Sequence, residues 1–127
     1  MNVILIDDDA AFRRSAEILL GGEGYDVRCF AEPAPAEPLL TGGAPVDVLI
    51  LDYLLPGATG IDFLRRVRAR LPRACRVLLI SGHTDHIEPL DLAALGVEAF
   101  LPKPLDYEAF RALVGPPTNN GALQSLL

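Results

Sequence analysis

The chain has 127 residues, half of them hydrophobic, with 11 Gly, 11 Pro and a net charge of −6. That length fits one domain with an ample core and leaves little room for a second. The acidic balance argues against nucleic acid as a partner of this domain. No apolar run approaches the ~20 residues of a membrane span, and the opening MNVILIDDDA has no basic stretch for export, so a cytoplasmic protein is expected.

Val3–Ile6 is continuously apolar and reads as a strand, followed by Asp7, Asp8 and Asp9. Phe12, Ala16, Leu19 and Leu20 then recur at helical spacing as far as Gly21-Gly22. Val27-Arg28-Cys29-Phe30 reads as a second strand whose charge suits a sheet edge. Across 33–45, Pro33, Pro35, Pro38 and Pro45 leave only a short or irregular second helix. Val48–Leu51 is a third strand, ending at Asp52. After Gly60, Leu64, Val67 and Leu71 form an apolar stripe stopped by Pro72. Val77–Ile80 is a fourth strand and leads into Ser81.

Ile87, Leu90, Ala94 and Leu95 form the next stripe, closed by Gly96. Ala99–Leu101 is a short fifth strand before Pro102, which suits the other edge, and it leads to Lys103. Tyr107, Phe110 and Val114 complete the series between Asp106 as N-cap and Gly115 as stop. Residues 115–127 read as a linker or C-terminal tail after a domain spanning 1–114. Strict alternation of strand and helix predicts an α/β fold with helices on both faces of a parallel sheet. Five strands suit the flavodoxin-like order 2-1-3-4-5.

Several groups point to nothing special. Cys29 and Cys75 belong to no CxxC pattern and read as reduced structural thiols. His83 and His86 could share a helical face, but without a Cys or third His zinc is not expected. The arginines of 65–76 lack interleaved aromatics and read as a solvated helix face. Of 11 basic residues ten are arginine, and Lys103 is the only lysine. Ammonium and guanidinium do different chemistry, so the exception stands out.

In an open α/β sheet ligands bind outside the carboxyl ends of the strands. The residues expected there are Asp7, Asp8, Asp9, Asp52, Ser81 and Lys103. Asp and Ser commonly end strands and cap helices, which accounts for any one of these but poorly for all four loops together. Crowded carboxylates raise one another's pKa unless a cation offsets them, and hard oxygen ligands suit Mg²⁺. A carboxylate beside Mg²⁺ and lysine can attack a phosphoryl donor, because both cations neutralise the transferring oxygens.

Over roughly residues 1–114 the chain resembles the receiver (CheY-like) domain of two-component response regulators. The resemblance rests on Ile4-Leu5-Ile6-Asp7-Asp8-Asp9, Leu51-Asp52-Tyr53-Leu54-Leu55-Pro56-Gly57 with Gly60 following, Ile80-Ser81-Gly82 and Lys103-Pro104. The gaps of 44, 29 and 22 residues between Asp8, Asp52, Ser81 and Lys103 make the set specific. The resemblance implies a signalling domain, not an enzyme beyond Mg²⁺-dependent self-phosphorylation from donors and slow dephosphorylation. It implies that Asp52 accepts a phosphoryl group from a sensor histidine kinase or phosphotransfer protein. Asp8, Asp52 and the Leu54 carbonyl would bind Mg²⁺, Asp7 would hold a metal-bound water, and Ser81 and Lys103 would contact phosphoryl oxygens. Asp9 is then the N-cap of the first helix. Phe100 takes the switch-aromatic position, and a homodimer or target would use the face of the fourth helix, fifth strand and fifth helix.

The resemblance also implies a cis Lys103-Pro104 bond. Leu55 where many members have Met, Pro102 before Lys103, and the proline-rich 33–45 are departures. Leu54 and His83, each two residues past a reactive position, are expected to govern phosphoryl lifetime. An aspartyl-phosphate phosphatase would need an acid where Leu54 stands, and a dinucleotide binder would need glycines where the first loop is Asp-Asp-Asp.

Overall fold

The computed structural model describes residues 1–55, 57–82 and 89–117. Its strands are β1 (Asn2–Ile6), β2 (Asp26–Phe30), β3 (Val48–Asp52), β4 (Arg76–Ser81) and β5 (Val97–Pro102). The helices are α1 (Ala10–Gly22), α2 (Pro33–Thr41), α3 (Gly60–Val67), α4 (Pro89–Ala94) and α5 (Tyr107–Val114). All strand pairs in the main sheet are parallel, in the order β2-β1-β3-β4-β5. This is the flavodoxin-like arrangement expected from the alternation. A two-stranded ribbon pairs Leu54–Leu55 with Ala58–Thr59 just beyond β3.

The period of two along each strand divides the core. Ile4, Ile6, Leu49, Leu51, Val77 and Leu79 face α2 and α3, joined by the partly buried Leu92 and Leu95 from α4 and its C-terminal flank. Val3, Leu5, Val48, Ile50, Leu78 and Ile80 face the opposite way, toward α1 and α5. β1, β3 and β4 are therefore covered on both faces, which is why their runs are continuously apolar. The interrupted runs of β2 and β5 lie at the two edges.

Local chemistry sets the helix ends. The Asp9 carboxylate accepts from the amides of Ala11 and Phe12 and starts α1. Thr59 and Asp62 form a reciprocal capping box at α3, and the Asp106 carboxylate caps α5. Gly96 and Gly115 adopt positive φ where α4 and α5 stop. The Lys103-Pro104 bond is cis.

Two expectations need correction. α2 is a regular nine-residue helix, not an irregular segment. Pro33 and Pro35 fall in its first turn, where amide hydrogens have no partner within a helix anyway. Pro38 does remove a bond, but fully buried Ala36 and Leu40 and the ion pairs of Glu37 with Arg66 and Arg70 hold the helix in place. β5 begins at Val97, two residues before the apolar run. Exposed Glu98 interrupts that run at a register shift and lies 3.7 Å from Arg76.

Of the arginines of 65–76, Arg65, Arg66 and Arg70 are exposed on α3 and the turn after it, Arg68 is half-buried, and exposed Arg73 and Arg76 lie beyond the helical stretch. Cys29 and Cys75 are free, and burial pushes each thiol up to about 11, so neither is reactive at neutral pH. Of the earlier assignments, Ile87, His83, His86 and residues 118–127 lie outside the described residues. Gly115, at the start of the tail, accepts a 2.6 Å hydrogen bond from the Tyr25 hydroxyl.

Gly60 joins fold to site. Its amide donates to the Tyr53 carbonyl at 2.7 Å, and a Cβ there would collide with the Asp52 carbonyl and press on Leu51. G60A is expected to lower unfolding free energy by about 1–3 kcal/mol, the usual cost of overpacking, in a urea titration with unchanged slope.

Candidate functional site

Polar residues begin where β1, β3 and β4 run out of helix cover. Asp7 follows β1, while Asp52 and Ser81 end β3 and β4. Among the described residues these three are the buried polar ones, at 0, 4 and 1% exposure. Burying a charge without a partner is expensive, so such a cluster needs a compensating arrangement.

Backbone hydrogen bonds fix the loops that carry it. The Asp7 amide donates to Phe30 O, Tyr53 N to Ile80 O, and Lys103 N to Ser81 O, at 2.9–3.0 Å. Each bond ties a site residue or its neighbour to an adjacent strand. Arg13 of α1 also donates to the Asp7 carbonyl at 2.8 Å.

Lys103 supplies the compensating charge. Its Nζ lies 2.6 Å from Asp7 Oδ2 and 3.3 Å from Asp52 Oδ2. The contact with Asp52 is a hydrogen bond. Burial pulls the ammonium's pKa down, but the two carboxylates outweigh it and the net shift is upward, so Lys103 is a cation throughout the neutral range. Asp52 Oδ1 accepts the Leu54 amide at 3.2 Å. Asp52 is nevertheless pushed up to about 6, first by burial and then by the charge of Asp7; Lys103 and the Leu54 amide pull the other way.

One ammonium does not balance this site. Carboxylate oxygens of Asp7, Asp8 and Asp52 lie within 4.8 Å of one another, with Asp8 exposed at the mouth. Asp7 Oδ1 accepts the Asp9 amide at 2.9 Å, and buried Asp7 Oδ2 faces the Lys103 ammonium. Three carboxylates against one ammonium form a donor set suited to a hard divalent cation.

The open cleft above is lined by Asp8, Asp52, Leu54, Ser81, Gly82 and Lys103. Leu54 is 51% exposed, unusual for a leucine. Phe100 stands apart from the cleft, half-buried on β5 and packed against the core on the α3–α4 side. His83 lies outside the described residues. The structure thus brings together Asp7, Asp8, Asp52, Leu54, Ser81 and Lys103, and leaves Phe100 at a distance along β5.

Two neighbours of the site were not legible as such. Arg13 carries no signal in the sequence, yet it donates to the Asp7 carbonyl. Phe12 reads as part of the apolar stripe, yet Lys103 Nζ lies 4.8 Å from its ring centroid. No spacing in the sequence links positions 12 and 103.

A doubly wound sheet with this acidic cleft at its carboxyl edge defines an α/β protein of the flavodoxin-like class, with a carboxylate cluster that could hold a metal ion. The chain belongs to the response regulator receiver domain family, whose description matches residues 3–115. Receiver domains are the signalling modules of two-component systems. The chain is 34% identical over 108 residues to the transcriptional regulatory protein AruR of Pseudomonas aeruginosa, covering 82% of this chain and 43% of AruR. It is 32% identical to the chemotaxis protein CheY of the same organism, covering 87% and 90%. A response regulator receiver protein from Pseudomonas putida superposes with a TM-score of 0.78 at 30% identity, covering 89% of this chain and 93% of that one. The chain spans 43% of AruR and 54% of the FixJ protein of Bradyrhizobium diazoefficiens, about half the length of these relatives. No helix among the described residues is long and apolar enough to cross a membrane.

The raised Asp52 carboxyl has a consequence for stability. With a folded pKa near 6 against ~3.9 unfolded, the native state holds the extra proton, so stability falls as pH rises from about 4 to about 6. In metal-free buffer at pH 7.5, D52N is therefore expected to be more stable than wild type by about 1–2 kcal/mol, and the gap should close near pH 4. Urea titrations at both pH values measure it; a less stable D52N at pH 7.5 contradicts the electrostatic account.

Proposed function

We propose that Asp52 accepts a phosphoryl group from a sensor histidine kinase or phosphotransfer protein. Supporting this most directly is the Lys103 ammonium, 3.3 Å from Asp52 Oδ2 at the floor of an open acidic cleft. An Asp52 oxygen attacks phosphorus in line with the donor's P–N bond. As the new O–P bond forms, the P–N bond breaks and its electron pair stays on the donor imidazole. Asp52 attacks as the carboxylate, the form that Lys103 and a bound Mg²⁺ would both favour. Asp8, Asp52 and the Leu54 carbonyl are the proposed Mg²⁺ ligands, with Asp7 holding a metal-bound water. Bound Mg²⁺ supplies charge neutralisation on the transferring oxygens. Ser81 and Lys103 contact the other phosphoryl oxygens, and Lys103 already stands beside the reacting carboxylate.

The output is a change of surface and not of substrate. Drawing Ser81 toward the phosphoryl group opens space beside β4, and Phe100 on neighbouring β5 pairs in register with Leu79 of that strand. Rotation of Phe100 alters the face formed by α4, β5 and α5, the proposed site of a homodimer or target protein. The domain is residues 1–114, with 115–127 as the linker or tail, and it works in the cytoplasm. Exposed Leu54 offers no hydrogen bond to orient a hydrolytic water and shields the phosphoryl group. The phosphorylated protein is accordingly long-lived; His83, the other position assigned to lifetime, stays part of the proposal.

Acetyl phosphate with Mg²⁺ is expected to add one phosphoryl mass to wild type and none to D52N in intact-mass spectra; full labelling of D52N rules out the assignment. L54N is expected to lose its label several-fold faster than wild type, measured on purified phosphoprotein, and an equal rate would remove Leu54 from control of lifetime. Beryllofluoride should shift amide resonances of β5 and α5 as well as those of the cleft.

A further inference from the structure

The face of the Phe12 ring is turned to the one lysine of the chain. Lys103 Nζ lies 4.8 Å from the ring centroid, with Asp7 and Asp52 on its other sides. We propose that Phe12 is a positioning residue for Lys103, holding the ammonium beside Asp52 through its ring so that it can turn from carboxylate to phosphoryl oxygen. The inference rests on the function proposed above.

An ammonium is compact and strongly hydrated, on a flexible four-carbon stem. The Lys103 side chain is 20% exposed, so much of its water has been replaced. Two carboxylates replace part of it, and the negative face of an aromatic ring can replace more. The kind of partner matters for the reaction. A hydrogen-bond acceptor in place of Phe12 would claim one N–H direction and would have to be broken when the ammonium re-aims. A ring attracts the cation without that directional demand, so the head is retained yet free to rotate.

Phe12 is itself rigidly placed. Its amide donates to the Asp9 carboxylate at 3.2 Å in the first turn of α1, and its side chain packs partly against the core between the sheet and α1. Asp7 and Phe12, separated by only four residues that include the α1 cap Asp9, thus approach Lys103 from one short segment. Pro102 and Pro104 restrict the backbone on either side of Lys103. Packing alone would not require a ring at position 12, since leucine fills an apolar stripe equally well. That contrast supplies the test.

Because Lys103 is the only lysine, protein labelled with ¹³C-lysine gives a single set of side-chain signals. The ε-methylene protons of wild type are expected upfield of an exposed lysine, shifted by the ring current; the shift should persist in F12Y and vanish in F12L. This measurement needs neither metal nor phosphate. With Mg²⁺ present, F12L should bind beryllofluoride about five-fold more weakly than wild type, and F12Y should recover wild-type affinity. Wild-type lysine signals at the exposed position, or an F12L affinity equal to wild type, overturn the role of Phe12 alone. Wild type that binds no beryllofluoride overturns the proposed function and this role with it.

Discussion

The structure turns on how buried carboxylates are tolerated at the carboxyl edge of the sheet. β1, β3 and β4 are sealed on both faces over Val3–Ile6, Val48–Leu51 and Val77–Ile80, and every side chain in those stretches is apolar. Polarity returns only where the strands end, and there it returns all at once as Asp7, Asp52 and Ser81. Two of these are acids, and a third, Asp8, stands within ligand distance. Lys103 reaches both buried acids from the end of the edge strand β5, across the end of β4. Remove that cation and the site holds only like charges in a low-dielectric floor, where each opposes the ionisation of the others.

The rest of the architecture serves that arrangement. The tight approach of Gly60 to Tyr53, the Leu54 amide on Asp52 and the Lys103 amide on Ser81 draw three loops over one edge. Even so, the balance is incomplete. Asp52 remains raised to about 6, and three carboxylates face one ammonium. An uncompensated site of this kind costs stability, and its acidic cluster could hold a metal ion. Stability given up at the strand ends is made good by the doubly covered sheet beneath.

The use of lysine at one position fits the same logic. A guanidinium is a wide planar fork, and on the surface Arg66 and Arg70 each reach one oxygen of Glu37. Between Asp7, Asp52 and the ring of Phe12 the space suits a compact head that can re-aim without losing its partners. The exposed face of Leu54 completes the cleft with an apolar wall where a polar side chain would organise water.

Much was determined by the sequence alone, because it follows from local rules. Apolar run length separates central from edge strands, Asp9 and Asp106 announce their helices, and strand-end placement gathers Asp7, Asp8, Asp52, Ser81 and Lys103. Proline content misjudged α2, since burial of Ala36 and Leu40 outweighs the one hydrogen bond that Pro38 removes. Glu98 hid the start of β5, because a charge facing solvent on an edge strand breaks an apolar run without breaking the strand. Tertiary structure alone decided that Lys103 spans two carboxylates at once and that the ring of Phe12 lies against the ammonium. These are distances between segments as many as 96 residues apart, Asp7 to Lys103. Propensity and periodicity act along the chain within a few residues, and only the packing of strand on strand sets such distances.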